Sequence, residues 1–313
     1  MLVNGKWSTE WHPVQATDKQ GGFVRQTSSF RHWITPDGDS GFAAEPDRYH
    51  LYVALICPWA SRALIARKLK GLEHLISVSV VEPQLYDQGW RFGDFPGADR
   101  DTLNQAEYLH ELYTRADARY TGRATVPVLW DKKTATIVNN ESADIVRMFN
   151  SGFGALADNH IDLYPHALRE EIDALNETIY PRLNNGVYRA GFATTQISYQ
   201  QAFNDVFTQL NELELLLQDG RTFLLGERLT EADIRLFVTL IRFDVAYHAL
   251  FKCNLRRLRD YPLLDRYLKS MLAVSGVRDT VSIDHIKQGY YSIKALNPNG
   301  IIPAGPDMSA YGW

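Results

Sequence analysis

Cysteine is scarce in this chain of 313 residues, which holds two, Cys57 and Cys253. Two thiols over that length make no disulfide framework of the kind that staples small secreted domains. Long apolar runs are missing too. No window approaches the about 18 apolar residues of a membrane helix, and the opening residues Met1 to Trp7 lack the apolar stretch of a secretory signal. The expectation is therefore a cytoplasmic protein with no membrane partner. An excess of either charge is likewise absent: 33 Lys+Arg against 37 Asp+Glu give a net charge of −4. With no basic tail or stripe, nucleic acid is not an expected partner. The nine His include no H-x-x-x-H or H-E-x-x-H pair, and no cysteine cluster accompanies them, so no metal is expected.

What the chain does have is ordinary globular material, 45% hydrophobic and 22% charged, with seven Trp and sixteen Tyr. That is enough to bury a core without staples, over about two domains. Residues 1–48 are irregular and carry Trp7, Trp11, Phe23, Phe30 and Trp33, which reads as an N-terminal arm packing its aromatics against the body. From Tyr49 onward, periodicity predicts a strand over 50–55 and an amphipathic helix over Pro58–Leu69 stopped by Gly71. A second strand follows over 76–81 and a helix over 103–115. A strand pair at 126–131 and 136–138, turned at Lys132-Lys133, leads to a helix over 141–149. Strand and helix alternate, then a hairpin and a last helix follow, which is the order of an α/β thioredoxin-like domain over 49–150. Residues 150–165 lack periodicity and mark a boundary. The rest, 151–313, reads as all-helical over 166–183, 197–218, 230–248 and 261–273, with a Pro/Gly-rich tail. Thr230 as N-cap, Asp233 three residues on, and the Leu229/Ile234 pair give the third of these helices a defined start.

Cys57 stands where the first strand hands over to a helix, followed by Pro58-Trp59-Ala60. Proline suits a first helical turn because its missing N–H needs no partner there. A sulfur at this place sits beside free backbone N–H groups and the positive end of the helix dipole, a setting that lowers a thiol pKa from about 8.5. Ala60 occupies the position of a second sulfur in a C-x-x-C motif, so the site is monothiol and any disulfide it forms must be resolved by an outside thiol. Read as a residue alone, a lone cysteine is usually a small buried hydrophobe, but the strand–Cys-Pro–helix context favours a functional thiol at Cys57; Cys253, with no helix start near it, is taken as structural.

Cys57-Pro58-Trp59-Ala60, Val126-Pro127 before a strand and Glu141-Ser142 opening a helix resemble a cysteine-type glutathione transferase. The chain is more similar still to the Xi class, the glutathionyl-hydroquinone reductases, through its aromatic arm, Gly89-Trp90, Asn184-Asn185-Gly186-Val187-Tyr188, Thr230-Glu231-Ala232-Asp233-Ile234-Arg235-Leu236, Arg242-Phe243-Asp244 and Asn297-Pro298-Asn299-Gly300-Ile301-Ile302. The resemblance implies the two-domain glutathione transferase fold, glutathione as co-substrate and a homodimer. It implies a cis bond before Pro127, which presents the Val126 backbone to the cysteinyl part of glutathione. Glu141 and Ser142 would hold the γ-glutamyl ammonium and carboxylate, with Trp90 and Arg123 also contacting the tripeptide. Without the resemblance, Glu141 and Ser142 read equally well as plain helix capping.

In the Xi class a set of tyrosines lines an aromatic pocket, and Tyr188, Tyr247 and Tyr290 match it. The implied reaction is reduction of a glutathionyl-hydroquinone: Cys57 attacks the glutathionyl sulfur, Tyr188 and Tyr290 assist the departing ring, and a second glutathione resolves the Cys57–glutathione disulfide. An omega-like thioltransferase or dehydroascorbate reductase shares the thiol step and differs in the second pocket. A non-catalytic binding module of the same fold is the alternative from another class.

Overall fold

The structure, a computed structural model, describes residues 1–8 and 16–313; Trp11 of the expected arm lies outside the described residues. An Asn4-Gly5 turn, with both residues at positive φ, joins the short antiparallel strands β1 (Leu2–Val3) and β2 (Lys6–Trp7). This is the two-residue hairpin that Asn-Gly favours. The main sheet is built around β3 (Tyr49–Val53), whose five residues are all buried. A strand covered on both faces needs such a run rather than an alternating one. Helix α1 (Pro58–Leu69) follows and ends before Gly71, held at φ +62°. Strand β4 (Ile76–Val80) returns parallel to β3. A small ribbon comes next, β5 (Leu85–Tyr86) with β6 (Gly89–Trp90), and then α2 (His110–Ala116). Strands β7 (Val128–Asp131) and β8 (Thr136–Asn139) and helix α3 (Ser142–Ser151) complete the series. The sheet order is β4-β3-β7-β8, with β7 antiparallel to both neighbours. This is the thioredoxin-like arrangement expected from the alternation of elements.

The remaining elements are helical: α4 (Arg169–Ile179), α5 (Gly186–Gly191), α6 (Gln196–Leu216), α7 (Glu231–Arg242), α8 (Pro262–Ala273) and α9 (Ile283–Tyr291). Two π-helical turns, Tyr180–Asn184 and Phe243–Tyr247, extend α4 and α7. In α7 every residue except Arg235 is buried, as a helix enclosed by its neighbours requires. Its start is fixed by the expected device. The Asp233 carboxylate accepts from the backbone N–H of Thr230 at 2.8 Å and of Leu224 at 2.8 Å, and from the Tyr267 hydroxyl at 2.9 Å. Burial pushes this carboxyl up, and those donors pull the other way.

Several expected limits are corrected. The helix expected from Leu103 begins at His110, because the Asp101 carboxylate takes the N–H groups of Leu103, Asn104 and Ala106 and holds that stretch as a turn. Helices α5 and α9 were not expected. The chain divides into Met1–Pro13, Gln26–Ile161 and Thr280–Gly289 on one side, and Val14–Arg25, Asp162–Asp279 and Tyr290–Trp313 on the other. The expected limits of 1–48, 49–150 and 151–313 therefore shift. The described part of the arm is divided between the two units. Thr280–Gly289 belongs with the first unit: a Cβ on Gly289 would lie 2.3 Å from Ile56 Cδ1 and 2.5 Å from the Pro83 carbonyl oxygen. Within the first unit Trp7 stacks on His110, and Phe30 meets Tyr113 and Tyr120. Trp33 stays exposed and does not pack as expected.

Asp233→Ala should cost about 3–5 kcal/mol, since four buried donors, the Thr230 hydroxyl at 3.1 Å among them, lose their acceptor. Asp233→Asn keeps one accepting oxygen while its NH2 faces the other pair of donors, and should cost less than Asp233→Ala. Urea denaturation of the two variants against the parent checks the order.

Candidate functional site

Three residues separate the end of β3 from Cys57. The Cys57 N–H donates to the Ala54 carbonyl at 2.9 Å, closing the turn, and its own carbonyl accepts from Ser61 at 3.0 Å as the first bond of α1. Cys57 keeps extended backbone angles, φ −76° and ψ 118°, while Pro58 takes the first helical position. The sulfur is thus delivered to the helix N-terminus, half-buried, and its thiol points to the Val126 carbonyl oxygen at 3.7 Å. The Val126–Pro127 peptide bond is cis, in agreement with the expectation.

Across the hairpin, Glu141 caps α3. One carboxylate oxygen accepts from the Ala143 N–H at 3.1 Å, and the other from the Ser28 hydroxyl at 3.0 Å. Ser142 is buried beside it. The capping role left open above is therefore present in the structure. Tyr113 ties this corner to the Cys57 side. Its hydroxyl donates to the Thr125 carbonyl at 2.7 Å and accepts from the Asn140 amide at 3.1 Å, and burial pushes its phenol up to about 12. The Arg123 N–H donates to the Gln26 side-chain oxygen at 2.9 Å, and the Arg123 carbonyl accepts from Tyr120 at 3.1 Å. Trp90 is held in the β5–β6 ribbon opposite Leu85, and its carbonyl accepts from Leu109 at 2.9 Å. All six residues expected to hold glutathione lie in the first unit.

The three expected tyrosines meet in the second unit. The Tyr290 hydroxyl lies 2.5 Å from that of Tyr188 and 2.8 Å from that of Tyr247. The π turn at Phe243–Tyr247 brings Tyr247 to this contact, a device often found at functional sites. Burial raises Tyr247 and Tyr290 well above the ordinary phenol range, so both stay protonated at neutral pH and donate hydrogen bonds rather than carry charge. Phe192 and Phe251 enclose the Tyr188 ring, at 6.3 and 5.3 Å. Their spacing of four residues from Tyr188 and Tyr247 is the sequence signal that could have found them. Ser28, Gln26 and Arg25 are contacts made over long sequence separations and carry no local signal.

Among the described residues no group of three or more His, Cys, Asp or Glu is arranged to hold a metal. No described helix is long and apolar enough to cross a membrane. Cys253 is fully buried, and that burial pushes its thiol up to about 12.

A sulfur at a helix start in a thioredoxin-like unit, followed by a helical unit, is an arrangement that glutathione transferases use. Residues 56–151 match the family model of the glutathione S-transferase N-terminal domain, and residues 196–270 that of the C-terminal domain. The chain is 52% identical to glutathionyl-hydroquinone reductase YqjG of Escherichia coli, with 97% of this chain and 94% of that protein covered. The glutathione-bound structure of YqjG superposes with a TM-score of 0.90 at 49% identity, covering 99% of this chain and 96% of that one. The Xi glutathione transferase of Phanerochaete chrysosporium gives a TM-score of 0.90 at 49% identity, covering 93% and 95%. The chain belongs to the glutathione transferase family, in its Xi class.

Alkylation of the native protein with iodoacetamide near pH 8 should label Cys57 alone, and Cys253 only after denaturation. Peptide mass spectrometry reads both sites, and labelling of Cys253 in the folded protein would contradict its burial.

Proposed function

We propose that this chain reduces glutathionyl-hydroquinones to hydroquinones with glutathione as co-substrate. The observation that carries the reading is the half-buried Cys57 sulfur, set at the start of α1 and facing the Val126 carbonyl, with Ala60 where a second thiol would stand. The 52% identical relative bears the name of such a reductase, and the tyrosine cluster, with Tyr247 and Tyr290 buried and held protonated, suits a phenolic ring.

In the first step the Cys57 thiolate attacks the glutathionyl sulfur of the substrate. The Cys57–S bond forms, the sulfur–carbon bond breaks, and the electron pair left on the ring carbon takes up a proton. Tyr188 and Tyr290 would donate hydrogen bonds to the ring oxygens as charge develops there. In the second step a glutathione thiolate attacks the mixed disulfide, releasing glutathione disulfide and the Cys57 thiolate. The ring is reduced and two glutathionyl sulfurs are oxidised to one disulfide, so the electrons balance. Glutathione fits the residues present: a backbone edge at Val126 for its cysteinyl part, and the capped start of α3, with Glu141 and Ser142, for its charged γ-glutamyl end. Trp90 and Arg123 would hold the remainder. A reduced thiol and free glutathione both call for a reducing compartment, so we place the protein in the cytoplasm. We take it as a homodimer on the strength of its class.

Cys57→Ser should lower reduction of glutathionyl-menadiol by about 100-fold or more, and abolish the glutathione adduct that mass spectrometry detects on the parent protein. Rates with dehydroascorbate and with a glutathione mixed disulfide separate the omega-like reading. A clear preference for either over the quinol would overturn the assignment.

A further inference from the structure

A charged group lies against the Tyr188 ring, and it comes from far away in the sequence. The Arg25 guanidinium carbon is 4.8 Å from the centre of the Tyr188 ring and 5.2 Å from that of Phe23, and these two rings stack at 6.4 Å. Arg25 Nε donates to the Asn185 side-chain oxygen at 2.9 Å, three residues before Tyr188 on the turn that opens α5. One contact thus sets the guanidinium against the ring face, and the other against the backbone that carries the ring.

The arm segment that bears Arg25 is itself anchored in this unit. The Gly21 carbonyl accepts from the Thr194 N–H at 3.0 Å, and the Gln20 carbonyl from the hydroxyls of Thr195 at 2.8 Å and Ser198 at 2.9 Å. Gly21 holds φ +82°, and a Cβ there would lie 2.6 Å from Thr194 Oγ1 and from Thr195 Cγ2, so glycine is required for the arm to approach so closely. An arm needed only to cover apolar surface would not require a guanidinium aimed at a phenol ring.

We infer that Arg25, set by Asn185, is a positioning residue that holds the Tyr188 ring so that its hydroxyl meets that of Tyr290. The inference rests on the proposed function for its effect on turnover. A guanidinium on an aromatic face attracts the ring, and its planar fork bonds Asn185 at the same time, which a lysine ammonium cannot reproduce with the same geometry. Without it the Tyr188 hydroxyl loses its fixed distance from Tyr290. Displacements of about an ångström in a reacting group are costly.

Arg25→Met should lower kcat for glutathionyl-menadiol by about 5- to 30-fold, with the rate of Cys57 alkylation by iodoacetamide unchanged. Arg25→Lys should recover part of that loss, and Asn185→Ala should reproduce part of it while leaving the guanidinium charge in place. In protein labelled with 13C at the tyrosine ζ carbon, the Tyr188 signal, assigned with Tyr188→Phe, should move in Arg25→Met more than in Arg25→Lys. This readout does not depend on turnover, so it judges Arg25 even if the parent fails to reduce the quinol and the functional reading falls. An unmoved Tyr188 signal in Arg25→Met would overturn the inference. So would a parallel loss of Cys57 alkylation and quinol reduction, which would mark Arg25 as a general support of the fold.

Discussion

The handover from strand to helix at Cys57 is the constraint on which the rest of the site depends. An extended residue followed by proline forces the chain out of the sheet at one point, because Pro58 has its φ preset for a helix and offers no N–H to continue the ladder. What lies opposite is decided by the sheet. Tyr52 pairs with Val128 at the end of the antiparallel register of β3 and β7, so Val126, two residues before Val128, enters the sheet at the end from which the chain leaves toward the sulfur. The 3.7 Å approach of thiol to Val126 carbonyl follows from that register and from the Ala54–Cys57 turn. A slip of the register would turn alternate side chains to the other face of the sheet and carry Val126 away from the sulfur.

Where the sequence was legible, one local rule decided the structure. Helix α1 runs over Pro58–Leu69 as read, since a proline start and a glycine stop bracket it. The capped start of α7 at Thr230 and Asp233 is equally local. Elsewhere a side chain remote from the periodic pattern won. Asp101 converts the first turns of an expected helix into a loop by taking three backbone N–H groups. The π turns at Tyr180–Asn184 and Phe243–Tyr247 insert an extra residue per turn, which a periodicity of 3.6 cannot announce. The arm was legible only as an arm. That Gln26 would meet Arg123, Ser28 would meet Glu141 and Arg25 would meet Tyr188 depends on pairings more than 90 residues apart in sequence, which no window of the chain contains.

The candidate site residues divide the same way. Cys57, Val126, Glu141 and Ser142 are each marked by a turn, a proline or a helix start, and could be named from local chemistry once the class was suspected. Tyr188, Tyr247 and Tyr290 have no such marks. Three of sixteen tyrosines become a set only when their hydroxyls meet, and it was the resemblance rather than any spacing that selected them.

Burial also explains why the proposed chemistry needs glutathione twice. A mixed disulfide on Cys57 can be broken only by another thiolate. Ala60, where a dithiol enzyme keeps its resolving sulfur, is fully buried and carries none. The one other cysteine, Cys253, is sealed from solvent, and its thiol is pushed up to about 12, so at neutral pH almost none of it is thiolate. The resolving thiol must therefore arrive from solution, and a second molecule of the tripeptide already recognised at the first step is the thiol that the same surface would accept.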